Sequence, residues 1–290
     1  CKTASNTCIP KLFYMPKYVS AMNGKKQCSG FELCSSRTCN LLHRDYALCY
    51  ADVKLVLKQT KRGKNMSSQN LTLLTDLYEL TMMQGYFETQ ENETVIFDMF
   101  FRENPNNGGY SIMAGLEQAI EYVKNLNFSY EDVDYLRGLG IFSEDFLHYL
   151  SGFHFSGDIY AIPEGSVIFP REPLIKVIAP IMEAQLVETA ILTIINHQCL
   201  IATKASRVVH AAQGNGIMEF GLRRAQGPDA GLYGARAAMI GGCVGTSNVL
   251  AGELFDVPVL GTHAHSWIMS FKDEYTAFKE YARLYPDACT

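Results

Sequence analysis

Three short stretches of the 290-residue sequence concentrate side chains able to do chemistry. Glu219-Phe220-Gly221-Leu222-Arg223-Arg224 holds a carboxylate, an aromatic ring and two guanidiniums; Gly245-Thr246-Ser247-Asn248 holds two hydroxyls and an amide. Gly261-Thr262-His263-Ala264-His265-Ser266 adds two more hydroxyls and paired imidazoles, and Asp287 stands alone further on. Such a set suits an anionic, phosphorylated substrate, because the arginine fork matches phosphate and carboxylate oxygens two at a time. A neutral imidazole nitrogen is a competent nucleophile near neutral pH, and an aromatic face is the natural partner of a flat heteroaromatic ring. Gly214, Gly216, Gly241, Gly242 and Gly245 show no dinucleotide fingerprint. His148, His154, His197 and His210 lack any supporting motif and are expected to be structural.

These clusters must be positioned by the elements around them. After Pro180 a long helix is expected from Met182 towards Ala212, with Leu186, Val187, Ala190, Ile191, Ile194 and Ile195 at helical spacing. Three strand-plus-helix units follow: strand 216–222 with helix 229–240, strand 242–246 with helix 248–255, and strand 258–261 with helical sequence after His265. This alternation implies a parallel sheet, open or closed as a barrel. In a barrel the catalytic groups sit at the C-terminal ends of the strands, where the three clusters fall. A fourth strand is expected where the sequence stops at Thr290, so the unit reads as incomplete.

Before residue 180 the order is mixed. A helix is expected from Thr75-Asp76 to Gly85, a half-buried strand over 94–101, a turn over 104–109, and a helix carrying Ile112, Leu116, Ala119, Ile120, Val123 and Leu126. Ser129 with Asp132 is a capping box, and Ser143-Glu144-Asp145 starts another helix. Strands at 158–162, 166–169 and 174–178 complete an α+β unit.

Three motifs, in this order, carry a family resemblance: Leu74-Thr75-Asp76-Leu77-Tyr78-Glu79-Leu80-Thr81-Met82, Glu219 to Gly227 (EFGLRRAQG), and Gly261-Thr262-His263-Ala264-His265-Ser266-Trp267. From about residue 67 to 290 the chain resembles nicotinate phosphoribosyltransferase. The resemblance implies an irregular TIM-like α/β barrel, incomplete here (181–290), after an α+β domain (66–180), in a cytoplasmic homodimer. It implies conversion of nicotinate and phosphoribosyl diphosphate to nicotinate mononucleotide and diphosphate, with coupled ATP hydrolysis and Mg²⁺. Phe220 would stack on the pyridine, with Tyr78 donated by the neighbouring subunit as the second aromatic. Arg223, Ser247, Thr246 and Thr262 would bind substrate, Arg224 and Ser266 phosphate, and His265 would become the phosphohistidine; no metal ligand is assigned. The family's Gly-rich phosphate loops do not occur before Thr290, so inactivity is expected of these residues by themselves.

Ser247 bears on the choice of base. Related enzymes that take nicotinamide carry Gly-Thr-Asp, whereas Gly245-Thr246-Ser247 sets a neutral hydroxyl there. Two like charges about 4 Å apart cost about 4 kcal/mol at an effective dielectric of 20, so an Asp repels a substrate carboxylate that Ser can hold. Rival readings are quinolinate phosphoribosyltransferase, nicotinamide phosphoribosyltransferase, and a non-catalytic fragment with a basic binding tail. Phosphate transfer from ATP to His265 separates the first and last of these from the favoured reading.

Composition divides the sequence. Of 25 Lys+Arg, 12 lie in residues 1–65 with only 3 of the 30 Asp+Glu, a local charge of +9 against −14 for the remainder. Six cysteines (Cys1, Cys8, Cys28, Cys34, Cys39, Cys49) lie in the same segment, and Cys199, Cys243 and Cys289 elsewhere. Six cysteines suit a disulfide framework or a zinc site, though no Cys-x-x-Cys pair occurs, and the +9 charge suits a basic nucleic-acid arm. The favoured expectation is a non-native upstream extension, with Met66 as the start and Arg62-Gly63 encoding a purine-rich ribosome-binding sequence. Neither nucleic acid nor membrane is an expected partner: no apolar run of about 18 residues is apparent. Scattered cysteines after Met66 fit a reduced cytoplasm.

Overall fold

The computed structural model describes residues 70–287. The expectations for residues 1–65, including the start at Met66, lie outside the described residues.

Alternating burial sets the first sheet. β5 (Ile175–Pro180) runs antiparallel between β1 (Thr94–Met99) and β3 (Asp158–Ala161). Ile175, Val177 and Ala179 are buried while Lys176 and Ile178 are partly exposed, the period of two that a half-buried strand imposes. On the wetter face Lys176 meets Asp98 directly across the ladder at 2.6 Å. A second antiparallel pair joins β2 (Ser111–Ile112) to β4 (Val167–Ile168).

Four helices, α1 (Leu77–Glu88), α2 (Leu116–Lys124), α3 (Tyr130–Gly138) and α4 (Glu144–Ser151), send Leu80, Met83, Leu116, Val123, Leu136 and Phe146 into one apolar cluster with Val95, Met99 and Val177. The capping box is present as expected: Ser129 accepts from the Asp132 amide, and the Asp132 carboxylate accepts from the Ser129 amide. Two boundaries differ from the sequence pattern. α1 continues past Gly85, whose absent side chain faces open space, until Thr89 caps it. α2 starts at Leu116 instead of Ile112, because Ser111 and Ile112 pair with β4 and Gly115, at φ +98°, turns the chain between strand and helix.

The expected long helix is divided into α5 (Ile181–Leu186) and α6 (Glu188–Ala211) at Val187, which keeps α-region angles, so the apolar stripe continues across the junction. Over Ile181–Ala211 the run has the length and mean hydropathy (1.3) of a membrane-crossing helix, against expectation. Its most apolar window is 61% buried inside the protein, the pattern of a core helix apolar all round. The first half of α6 closes the main cluster through Ala190–Cys199; beyond it Ala202 packs with Ala237 of α7 (Pro228–Ile240) and with Ile112 and Ala114.

After α6 come β6 (Met218–Glu219), a 3₁₀ turn (Leu222–Arg224), α7, β7 (Gly245–Thr246), α8 (Val249–Phe255), α9 (His265–Met269) and α10 (Glu274–Leu284). β6 and β7 are parallel, and Thr246 bridges Val259 in the parallel sense. Strand, helix, strand and helix therefore follow in the expected order, while the expected third strand, 258–261, is represented only by that single bridge. The strands are shorter than expected, since β6 stops at Glu219 ahead of the 3₁₀ turn that begins at Leu222, and Gly242 at φ +100° delays β7. Pro228 opens α7 at its first turn, and the Asn248 side chain caps α8 by accepting from the Ala251 amide at 3.2 Å.

A partly buried ion cluster around Arg236 joins this part to the sheet domain. Arg236 of α7 donates to Glu164 (2.7 Å) and to Glu117, while Glu164 also accepts the Gly115 and Leu116 amides that open α2 (2.5 and 3.0 Å). Burial works to raise the Glu164 carboxyl, but the Arg236 guanidinium and the two amides outweigh it and hold it below the usual range. Arg236→Ala strands that carboxylate, so a loss of about 3 kcal/mol is expected in denaturant unfolding.

Candidate active site

The parallel register decides which cluster residues meet. Glu219 lies opposite Thr246, and Thr246 opposite Val259. Adjacent strands lie about 4.8 Å apart, so the next residues, Phe220, Ser247 and Leu260, form a row about 10 Å wide at one edge of the sheet. Phe220 is 42% exposed there. The 3₁₀ turn that follows brings Arg223 and Arg224, both exposed and, among the described residues, in no ion pair.

Thr246 departs from its expected substrate-binding role. It is fully buried, and its hydroxyl donates to Glu219 at 2.6 Å while accepting the Asn248 amide at 3.0 Å. That hydroxyl is spent inside the sheet. Ser247 is half-buried, with its amide donated to the Glu219 carbonyl at 3.1 Å. Glu219 has no assigned role in the sequence pattern, yet it takes part in this bonding. Its carboxylate also accepts the Gly221 amide, and a signal was present in a charged side chain set inside a strand directly before the aromatic.

Beyond Val259, Gly261 and Thr262 are exposed, with the Thr262 hydroxyl donated to the His263 carbonyl at 3.1 Å. The two histidines part company here. His263 packs edge-on to Phe278 (5.4 Å between ring centres) and against Tyr281 (4.8 Å), pinning the loop to α10. The Trp267 indole donates to the Ala277 carbonyl at 3.0 Å and fixes the same junction. His265 and Ser266, at the start of α9, are exposed. His265 is thus the more exposed of the paired imidazoles, while the His263 ring is engaged by two aromatics.

Tyr78 sits on α1, half-exposed, and the groups bearing on its hydroxyl are Glu188, Glu79, Asp76 and Thr189. Burial, then those carboxylates, push its hydroxyl up to about 12, so it stays a neutral aromatic donor. Fully buried Glu79 accepts from Thr75 and, at 2.8 Å, from Thr189; burial raises its carboxyl despite those bonds.

Burial, with Glu79 and Asp76 close by, also pushes the Glu188 carboxyl up to about 7. The folded state therefore holds this proton more tightly than the unfolded chain. The stabilisation is complete below the ordinary glutamate value and is lost as pH rises to about 7. Thermal unfolding compared at about pH 5 and about pH 8 should show a larger loss in the unaltered protein than in Glu188→Gln, by about 1 kcal/mol after allowance for partial exposure.

Comparison with known proteins bears on what this row serves. Residues 73–196 match the model of the nicotinate phosphoribosyltransferase (NAPRTase) N-terminal domain, and residues 216–288 that of the nicotinate phosphoribosyltransferase (NAPRTase) family. The chain belongs to the nicotinate phosphoribosyltransferase family. Relatives in the family include the nicotinate phosphoribosyltransferase pncB2 of Mycobacterium tuberculosis, 48% identical over 74% of this chain and 46% of its own length. The Bacillus subtilis nicotinate phosphoribosyltransferase is 48% identical over 75% of this chain and 45% of its own. The chain thus spans less than half the length of these relatives. Among solved structures, human nicotinic acid phosphoribosyltransferase superposes with a TM-score of 0.63 at 37% identity, over 68% of this chain and 40% of that one. A nicotinate-nucleotide pyrophosphorylase from Pyrococcus furiosus gives 0.62 at 25% identity, over 78% and 51%. The second matched stretch contains Phe220, Ser247, Leu260 and His265, and the first contains Tyr78.

Proposed function

We propose that this protein takes part in phosphoribosyl transfer to nicotinate. The observation that supports the reading is the register Glu219–Thr246–Val259, which sets Phe220, Ser247 and Leu260 directly after paired neighbours, with exposed Arg223, Arg224 and His265 following in sequence. The pyridine ring stacks on Phe220, with Tyr78 of a second copy on its other face. Its carboxylate takes the Ser247 hydroxyl, while Arg223 binds carboxylate or phosphate and Arg224, Thr262 and Ser266 hold phosphate oxygens. The ring nitrogen forms a bond to C1 of the ribose as the C1–O bond to diphosphate breaks, giving nicotinate mononucleotide and diphosphate. Cationic side chains stabilise the charge that gathers on the leaving group.

His265 attacks the terminal phosphorus of ATP through a ring nitrogen, releasing ADP, and the phosphoryl group on the imidazole is later lost to water. Among the described residues no group of three or more His, Cys, Asp or Glu is placed to hold a metal. The described residues therefore supply no ligand set of their own for Mg²⁺, and the steps assigned to this chain do not run through it.

The three parallel neighbours, in this reading, begin an irregular TIM-like α/β barrel (181–290) after an α+β domain (66–180), and the working unit is a homodimer. A cytoplasmic setting suits Cys199, a buried free thiol pushed up to about 12 by burial. Nicotinate titration followed by NMR tests the base site. Phe220→Ala is expected to weaken binding by about 1–3 kcal/mol, the worth of one base–aromatic stack. Equal affinity in the two proteins would refute the assignment.

A further inference from the structure

The proposed reading leaves Glu219 without a task, although its carboxylate is bonded on both sides of the row. Its two carboxylate oxygens are divided: one accepts the Gly221 amide, in the turn between Phe220 and Arg223, and the other accepts the Thr246 hydroxyl at 2.6 Å, the residue before Ser247. Its carbonyl takes the Ser247 amide at 3.1 Å. The chain of bonds continues inward. Thr246 accepts the Asn248 amide at 3.0 Å, and the Asn248 side chain donates to the Gly231 carbonyl of α7 at 3.3 Å. A bond to an ionised carboxylate is stronger than a neutral one, and a buried hydroxyl left without its acceptor is costly. β6 and β7 are each only two residues long, so ladder bonds alone hold little of this edge.

We propose that Glu219 is a positioning residue of the base site, bracketing the Phe220–Arg223 turn to the Ser247 strand so that ring and hydroxyl stand at a fixed separation. The inference rests on the assignment of Phe220 and Ser247 to nicotinate. Its chemistry is specific: Glu219 never meets the substrate, and it sets how far the stacked ring lies from the donor to its carboxylate. Gly221 belongs to the same device, because a Cβ there would meet the Glu219 carboxylate at 2.8 Å.

Two readouts on the purified protein test it: amide hydrogen exchange by mass spectrometry, and nicotinate affinity by NMR titration, each for Glu219→Ala and Glu219→Gln. Alanine is expected to speed exchange over 220–224 and 246–248 and to weaken nicotinate binding about tenfold or more, the scale of one lost charge-assisted bond. Glutamine keeps one carbonyl acceptor for Gly221 and offers its amide to Thr246, so it should restore most of both. Unchanged exchange and affinity in the alanine variant overturn the proposal. So does an affinity loss that glutamine fails to rescue while exchange stays at the unaltered level, because this would mean the charge acts on the ligand itself. Absence of nicotinate binding by the unaltered protein, with exchange still responding to Glu219→Ala, instead sinks the assignment of the base site: the bracket remains as architecture and its role in positioning nicotinate falls.

Discussion

With His265 replaced by alanine, the protein is expected to take up no acid-labile phosphate from γ-labelled ATP, whereas the unaltered protein does. The effect is all-or-none because the second imidazole cannot substitute. His263 lies two residues away, but its ring is held between Phe278 and Tyr281, while His265 is exposed at the start of α9. A phosphorylated imidazole carries its phosphoryl group on nitrogen, so the label should survive alkali and leave in acid. His263→Asn is expected to keep the label, because it changes the aromatic anchor and not the acceptor. Persistent labelling in His265→Ala, or labelling that vanishes with His263 alone, would assign the chemistry elsewhere.

Ser247→Asp is the second large effect. Ser247 follows buried Thr246 in β7 and lies beside Phe220 in the row, so a carboxylate placed there faces the substrate's own. At about 4 Å and an effective dielectric of 20 the repulsion is about 4 kcal/mol, close to a thousandfold in affinity. The variant is expected to lose nicotinate in an NMR titration and to gain nicotinamide, whose amide N–H can donate to the new carboxylate. Undiminished nicotinate affinity would show that the carboxylate binds away from Ser247.

The sequence made the order of elements legible wherever local chemistry decides structure. Ser129 with Asp132 is a capping box in both sequence and structure, and the βα alternation after Pro180 reappears as β6, β7 and the bridge at Val259. What stayed hidden depends on contacts distant in sequence. Nothing near Ile112 announces that it pairs with Val167 before the helix can begin. The same holds for Arg236, whose partners Glu117 and Glu164 are brought to it by tertiary packing.

The candidate site follows the same division. Residue type singled out Phe220, Arg223, Ser247 and His265. Hydrogen bonding across β6 and β7 engages the buried Thr246 hydroxyl with Glu219, a contact that residue type alone does not show. The pairing of His263 with α10 likewise needed the fold, since Phe278 and Tyr281 follow it by more than a dozen residues.

The most direct test of the base site is a crystal structure of the protein with nicotinate bound. The pyridine ring is expected to lie flat on Phe220, its carboxylate within hydrogen-bonding distance of the Ser247 hydroxyl. A ring bound away from Phe220, or a carboxylate turned from Ser247 towards some other part of the fold, would contradict the assignment.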